Sequence, residues 1–219
     1  MPKTIIEYLR QHVAVNPDEL AFSFLPSDEK SYSNITFKEF WSEALSVANF
    51  LKSKTQAGDK VLLVYPPSLE YVVTFYGCLL AGIVAVPIPL LYKNISAEQL
   101  TDIARNDELV FALTTLNDLS TVKEFWKTQK SLVKPLDFFT TNNSVSLLGD
   151  LGDAIEVAPR TPAFLQYFSG FSGEKQEVIS THEDIIENIK QLSSISPEKA
   201  DDIFVGWLPF FHDVDLAVV

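Results

Sequence analysis

The segment from Phe168 to Val178 reads FSGFSGEKQEV and holds residue types that could grip an anion. Ser169, Gly170, Ser172 and Gly173 are small and closely spaced, which lets backbone N–H groups approach a phosphate. Lys175 adds a positive charge and Gln176 an amide. Two phenylalanines (Phe168, Phe171) and two glutamates (Glu174, Glu177) oppose that chemistry, because carboxylates repel phosphates. The spacing excludes a nucleotide-triphosphatase P-loop, which needs two glycines flanking four residues and then Lys-Ser/Thr. It also excludes a nucleophile elbow. Gly170-Phe171-Ser172-Gly173-Glu174 lacks the final glycine, and strand-like EVISTH follows where a helix is required. On spacing alone the segment is a tight turn between the strands AFLQYF and EVISTH, with a phosphate cradle as the functional alternative.

Few other residues could do chemistry. His12, His182 and His212 are far apart, and with the single Cys78 they form no metal-ligand spacing. Distant carboxylates are the remaining route to a metal site, so no metal residue is assigned. Cys78 sits in the apolar run FYGCLLAG and reads as a buried thiol. One cysteine excludes an intrachain disulfide and fits a reducing, cytoplasmic setting. Seventeen Lys and Arg against twenty-nine Asp and Glu give a formal net charge of −12, which excludes a nucleic-acid binder. The N-terminus carries early charges and is not a signal peptide. The uncharged span Tyr71–Tyr92 is long enough to cross a bilayer. Gly77, Gly82, Pro87 and Pro89 punctuate it, however, so it reads as helix, turn and buried strand, not as a transmembrane segment.

The elements that must position these residues alternate. Ile5, Ile6, Leu9 and Val13 define an amphipathic helix closed by Asn16-Pro17. AFSFL is a short strand. Thr36 and Glu39 form a capping box ahead of a helix with Phe37, Phe40, Trp41, Ala44, Leu45, Ala48 and Leu51 on one face. KVLLVY, PPSLEYVVTFYGCLLAG and IVAVP make a strand–helix–strand unit. SAEQLTDIARN reads as helix, LVFALTT as strand and NDLSTVKEFWKTQK as helix. SVSLLGDLGDAIEVAPRTP is a connector, after which come AFLQYF, EVISTH, the helix HEDIIENIKQLSSI and a last strand IFVGWLP. This is an α/β fold with a parallel sheet. Residues 1–160 are expected to form a first α/β subdomain and 161–219 the start of a second. The closing run LAVV has no cap or polar tail, and the expectation is a truncated chain.

FLQYFSGFSGEKQEVISTHEDIIENI, followed by WLPFFHDVDL, resembles the adenylate-forming enzymes, and more narrowly the fatty acyl-AMP ligases. Those carry a loop T-S-G-S/T-T-G-x-P-K-G-V, a strand ending in S/T-H, and later W-L-P-x-x-H-D-M-G-L. Upstream, GDKVLLVYPPSLEYVVTFYGCLLAGIVAVP is similar to their G-D-R-V-L-L-x-Y-P-P-G-x-x-F…C-x-Y-A-G-V-V-A-V-P. Tyr65-Pro66-Pro67 is telling, since related acyl-CoA synthetases tend to have an asparagine there. The resemblance implies the layered helices and sheets of an AMP-binding domain. It implies activation of a fatty acid with ATP and Mg2+ to an acyl-adenylate, and transfer to an acyl carrier protein or a polyketide synthase partner. By position Ser169, Gly170, Ser172 and Gly173 match the phosphate-holding loop, with Lys175 and Gln176 at its far end. His212 matches the histidine beside the reacting carboxylate and α-phosphate, Asp213 its neighbour and substrate contact, and Trp207 the motif's tryptophan.

The departures fall on the loops. Phe168 and Phe171 replace hydroxyl residues, Lys175 stands where proline is expected, Gln176 replaces the lysine and Glu177 the glycine. Glu183 follows His182 where a glycine is common, and Asp215 replaces the glycine of H-D-M-G-L. Losing one charge-assisted contact costs roughly 1.5–3 kcal/mol. A Glu177 carboxylate about 5 Å from a phosphate adds roughly 3 kcal/mol of repulsion at an effective dielectric near 20. Lys175, one position early, could offset part of this if the loop shifts. Three functional readings follow. The first is the N-terminal part of a fatty acyl-AMP ligase, not expected to turn over alone because the family's adenine- and ribose-binding motifs and late lysine lie beyond it. The second is a non-catalytic relative acting as a binding or interaction module. The third is an acyl-CoA synthetase, against which the Tyr-Pro-Pro and WLPxxHD signatures weigh.

Overall fold

The computed structural model describes residues 2–25, 32–88, 103, 108–128, 135–141, 153–169, 175–195 and 202–206. The chain opens with helix α1 (Ile5–Val15), capped by Thr4, whose side chain accepts from the Glu7 N–H. Ile5, Ile6 and Leu9 are buried and Val13 packs against the same core, as the spacing predicts. Strands β1 (Leu20–Phe24) and β2 (Ser33–Thr36) form an antiparallel pair. Helix α2 (Phe37–Lys52) begins with the expected capping box. Thr36 Oγ1 accepts from the Glu39 N–H at 3.3 Å, and Glu39 Oε2 accepts from the Thr36 N–H at 2.9 Å.

The main sheet has six strands in the order β6-β5-β3-β4-β7-β8. They are β3 (Lys60–Val64), β4 (Val84–Ile88), β5 (Leu109–Thr114), β6 (Phe138–Thr140), β7 (Pro162–Ser169) and β8 (Lys175–Thr181). The first five are parallel and β8 runs antiparallel at the edge. Helix α3 (Leu69–Leu80) links β3 to β4, α4 (Leu119–Thr128) links β5 to β6, and α5 (His182–Ile195) follows β8. The span Tyr71–Ile88 is thus helix, turn and strand. Among the described residues no helix is long and apolar enough to cross a membrane.

Each face of the sheet has its own core. Val61, Leu63, Tyr65, Ala85, Phe111, Leu113 and Phe164 pack with α1, α2, α3 and α5. Leu62, Val64, Val84, Val86, Ala112 and Leu165 pack with Val122 and Trp126 of α4 and with Ile103. Ile103 belongs to the expected helix SAEQLTDIARN, the rest of which lies outside the described residues. Cys78 is fully buried, and burial pushes its thiol pKa far up, as expected of a core residue.

Three features differ from the sequence reading. β2 and β6 are strands it lacks; they are four and three residues long, too short for alternation to register. The expected last strand IFVGWLP is not one over its described residues. Residues 202–206 are irregular, with Ile203, Phe204 and Val205 at 87%, 61% and 73% exposure. An apolar run becomes a strand only where a neighbouring strand pairs with it, and these residues have no ladder partner among the described strands. The tail Leu216–Val219 lies outside the described residues.

Gly77 shows how tightly α3 sits on α2. A Cβ at position 77 would lie 2.6 Å from Val47 Cγ1 and 3.1 Å from the Ala44 carbonyl oxygen. The better helix propensity of alanine is worth about 1 kcal/mol, while overpacking costs typically 1–3 kcal/mol. A 2.6 Å contact belongs at the upper end of that range. Gly77→Ala is expected to lose on the order of 1–2 kcal/mol of stability net, read as a lower urea midpoint with an unchanged slope.

Candidate functional site

Parallel strands end on one rim, and that rim carries the polar side chains. At the end of β3, Tyr65 is followed by two prolines and Ser68. The Ser68 hydroxyl accepts from the Tyr71 N–H at 3.2 Å, capping α3, and donates to the Pro66 carbonyl at 3.1 Å. The Tyr65 hydroxyl lies 3.2 Å from Thr141 Oγ1, just beyond β6, and 3.5 Å from Thr74 Oγ1. Thr141 donates to Glu70 Oε1 at 2.7 Å. At the end of β5, Thr114 Oγ1 donates to the Val64 carbonyl at 2.7 Å, and Thr115 Oγ1 donates to Asp118 Oδ2 at 2.6 Å. Burial pushes the Tyr65 phenol pKa far up, so Tyr65 takes part in this hydrogen-bonded cluster as a neutral phenol. Sequence reading singled out Tyr65 as part of a motif but missed Thr74, Glu70 and Thr141. Threonine and glutamate carry no local signal for a contact made across seventy residues.

The loop FSGFSGEKQEV belongs to the same rim. β7 and β8 pair as an antiparallel hairpin with Ser169 opposite Lys175, Phe168 opposite Gln176 and Tyr167 opposite Glu177. Ser169 is therefore the last residue of β7, and Lys175 and Gln176 are the first two of β8. Five residues, 170–174, connect them; Gly170, Ser172 and Gly173 lie outside the described residues, as do Trp207, His212, Asp213 and Asp215. The turn between two strands expected from spacing is what flanks the segment. Glu177, expected to stand against the phosphates, lies inside β8 with an exposed side chain. It is two residues, or about 7 Å, along the strand from Lys175.

His182 and Glu183 belong to the other end of the molecule. Thr181 pairs with Pro162, at the start of β7. A strand of eight residues, roughly 25 Å, separates them from the loop. Glu183 makes a surface ion pair with Arg160 at 3.3 Å, so its replacement of the common glycine is not a change in the phosphate loop. Thr181 caps α5, with Asp184 Oδ2 accepting from both its N–H and its hydroxyl at 2.8 and 2.7 Å. Those bonds, the side-chain one first, hold the Asp184 carboxyl below its ordinary pKa. His182 is 1% exposed and its Nδ1 has no hydrogen-bond partner among the described residues. Among the described residues no three His, Cys, Asp or Glu side chains are grouped to hold a metal ion.

A family model described as AMP-binding enzyme matches residues 9–219. A medium-chain-fatty-acid–[acyl-carrier-protein] ligase of Moorena producens is 27% identical over 217 residues, covering 97% of this chain and 36% of that protein. A long-chain-fatty-acid–AMP ligase of Mycobacterium marinum is 29% identical over 231 residues, covering 98% and 38%. The crystal structure of a fatty acyl-adenylate ligase from L. pneumophila, in complex with acyl adenylate and pyrophosphate, superposes with a TM-score of 0.81 at 22% identity. It covers 99% of this chain and 37% of that one. The chain thus spans less than two fifths of the length of these relatives, and the superposition speaks for the fold: a mixed α/β domain with a mostly parallel sheet.

Burial pulls the His182 pKa down to about 4 from an ordinary 6.5. Between those values the unfolded chain binds a proton that the folded chain does not, so stability falls as pH drops from about 6.5 toward 4. Above 6.5 the group is neutral in both states and contributes no slope. At 1.36 kcal/mol per pH unit the full loss is about 3 kcal/mol. Urea titrations across this window should show the decline in the native chain and a flatter profile in His182→Phe.

Proposed function

The chain belongs to the AMP-binding enzyme family, and from that premise we propose that it is the phosphate-gripping part of a fatty acyl-AMP ligase. In the proposed reaction a carboxylate oxygen of the fatty acid bonds to the α-phosphorus of ATP as the bond to pyrophosphate breaks. The thiol sulfur of an acyl carrier protein, giving up its proton, then bonds to the acyl carbon as AMP leaves. Ser169, Gly170, Ser172 and Gly173 would supply N–H and hydroxyl donors to the β- and γ-phosphates, with Mg2+ sharing their charge. His212 would lie by the carboxylate and α-phosphate, beside Asp213. The observation that carries the reading is the β7–β8 register, which opens the Ser/Gly loop at the rim where the parallel strands end. Ligands of open α/β sheets bind beyond that rim. A chain with one buried thiol fits a cytoplasmic setting. Residues 161–219 begin a second unit in this proposal, although their hairpin continues the same sheet through β7 beside β4.

The second reading, a non-catalytic relative, is favoured by one specific feature: Gln176 and Glu177 stand where the resemblance calls for lysine and glycine. The register weighs this further. Lys175 stands opposite Ser169 and Gln176 opposite Phe168, so the register carries a lysine one position before the expected one.

Calorimetric titration with Mg-ATP tests the binding role. The double change Gln176→Lys with Glu177→Gly adds two units of positive charge beside the loop and should tighten binding by about tenfold or more. Tight binding by the native loop that is lost in Lys175→Ala would instead show Lys175 holding the phosphates. ATP–pyrophosphate exchange by the full-length polypeptide with medium- and long-chain fatty acids separates the ligase from the non-catalytic reading. Formation of an acyl-CoA thioester when coenzyme A is supplied would favour an acyl-CoA synthetase.

A further inference from the structure

The sheet has a second place where a ligand would ordinarily sit. In open α/β sheets the crevice opens between neighbouring strands whose connections leave in opposite directions. Here β3 connects through α3 to β4 on one side, and β5 connects through α4 to β6 on the other. The switch point is therefore between β3 and β5. It is flanked by the Ser68 cap of α3 and by the Thr115–Asp118 turn that precedes α4.

That crevice is filled by the protein itself, on both faces. Tyr65, 3% exposed, belongs to the core on the α3 side, and its hydroxyl reaches past the end of β5 to Thr141 beyond β6. Thr141 has one hydroxyl proton and gives it to Glu70. Tyr65 must then donate to Thr141 and accept from Thr74, which makes one directed chain, Thr74 to Tyr65 to Thr141 to Glu70, ending on a carboxylate. On the opposite face Thr114 spans β5 to β3 through its bond to the Val64 carbonyl. No donor in this set points outward for a ligand.

We propose that Tyr65 is a positioning residue that closes the β3–β5 switch-point crevice to ligands. The closure rests on geometry alone; where a nucleotide binds instead rests on the proposed function. The phenol ring fills the gap and its hydroxyl aligns Thr141 and Glu70, so the ends of β3 and β6 and the first turn of α3 form one rigid edge. Two prolines at 66 and 67, which lack N–H donors and have a fixed φ, stiffen the same corner.

The test is to open the crevice and refill it. Tyr65→Ala removes the ring and leaves the Thr74 and Thr141 hydroxyls lining the gap. p-Cresol, which has the shape of the missing side chain, should then raise the melting temperature saturably by several degrees. Toluene, lacking the hydroxyl, should raise it less, and neither should shift the native chain. A folded Tyr65→Ala that takes no p-cresol, or a native chain that takes it equally, overturns the closure. Should Tyr65→Ala not fold, Tyr65→Phe decides. Hydrogen exchange should quicken over 69–74 and 138–141 and stay unchanged over 162–169, and unchanged exchange everywhere overturns the proposal. In the native chain Mg-ATP should slow exchange over 162–169 and 175–181. Slowing over 60–65 and 109–118 instead would make the crevice the ligand site and overturn the proposal. No slowing anywhere counts against the nucleotide reading alone, and the p-cresol result still decides the closure.

Discussion

Parallel strands have to be covered on both faces, and the rest of this structure depends on how that is met. A parallel sheet gains its stability only when helices from the crossovers bury both sides. Val61, Leu62, Leu63 and Val64 of β3 are all 0% exposed, pointing alternately into two separate cores. The double cover needs α3, which is nearly apolar all round and lies between β3 and the aromatic face of α2. Phe40 meets Tyr76 edge-on at 5.0 Å and Phe75 lies 5.8 Å from Phe164, so aromatic contacts carry the packing from α2 through α3 to β7. Gly77, with no Cβ, is what lets α3 come so close to Val47 of α2.

One consequence is that the polar clusters of the parallel strands lie at their two ends. The ends are not equivalent. At the carboxyl rim sit Tyr65, Thr114, Thr115, Thr141 and the hairpin tip; at the amino end sit the Lys60–Glu108 ion pair, Arg160–Glu183 and the start of α5. The antiparallel strand β8 sends two neighbouring parts of the sequence to opposite ends. Lys175 therefore shares the rim with Ser169, while His182 is buried at the start of α5 a full strand away.

Family membership and divergence sit on different parts of this arrangement. The matched stretch runs through almost the whole chain. The stretch from Lys60 to Pro87, which carries the upstream resemblance, is mostly buried and close-packed. The departures from the family pattern at Phe168, Gln176 and Glu177 fall on the ends of β7 and β8 that flank residues 170–174.

The sequence by itself determined the elements whose signal is local. The capping box at Thr36 and Glu39 is one, the helix His182–Ile195 another, and the β3–α3–β4 unit a third, since its glycines and prolines rule out a bilayer span. Each rests on contacts within a turn or two of the chain, or on a periodicity long enough to count. It also identified the hairpin, because strand, small-residue turn and strand follow one another directly. Only the tertiary structure decided what depends on partners distant in sequence. The three-residue β6 exists because β5 offers it a ladder, and residues 202–206 stay irregular because no described strand does. The bond between Tyr65 and Thr141 joins residues seventy-six apart, and the end of the sheet to which His182 belongs follows from the direction of β8. Hydrogen-bond partners across a sheet and the direction of an edge strand are properties of assembled neighbours, and residue type at one position does not encode them.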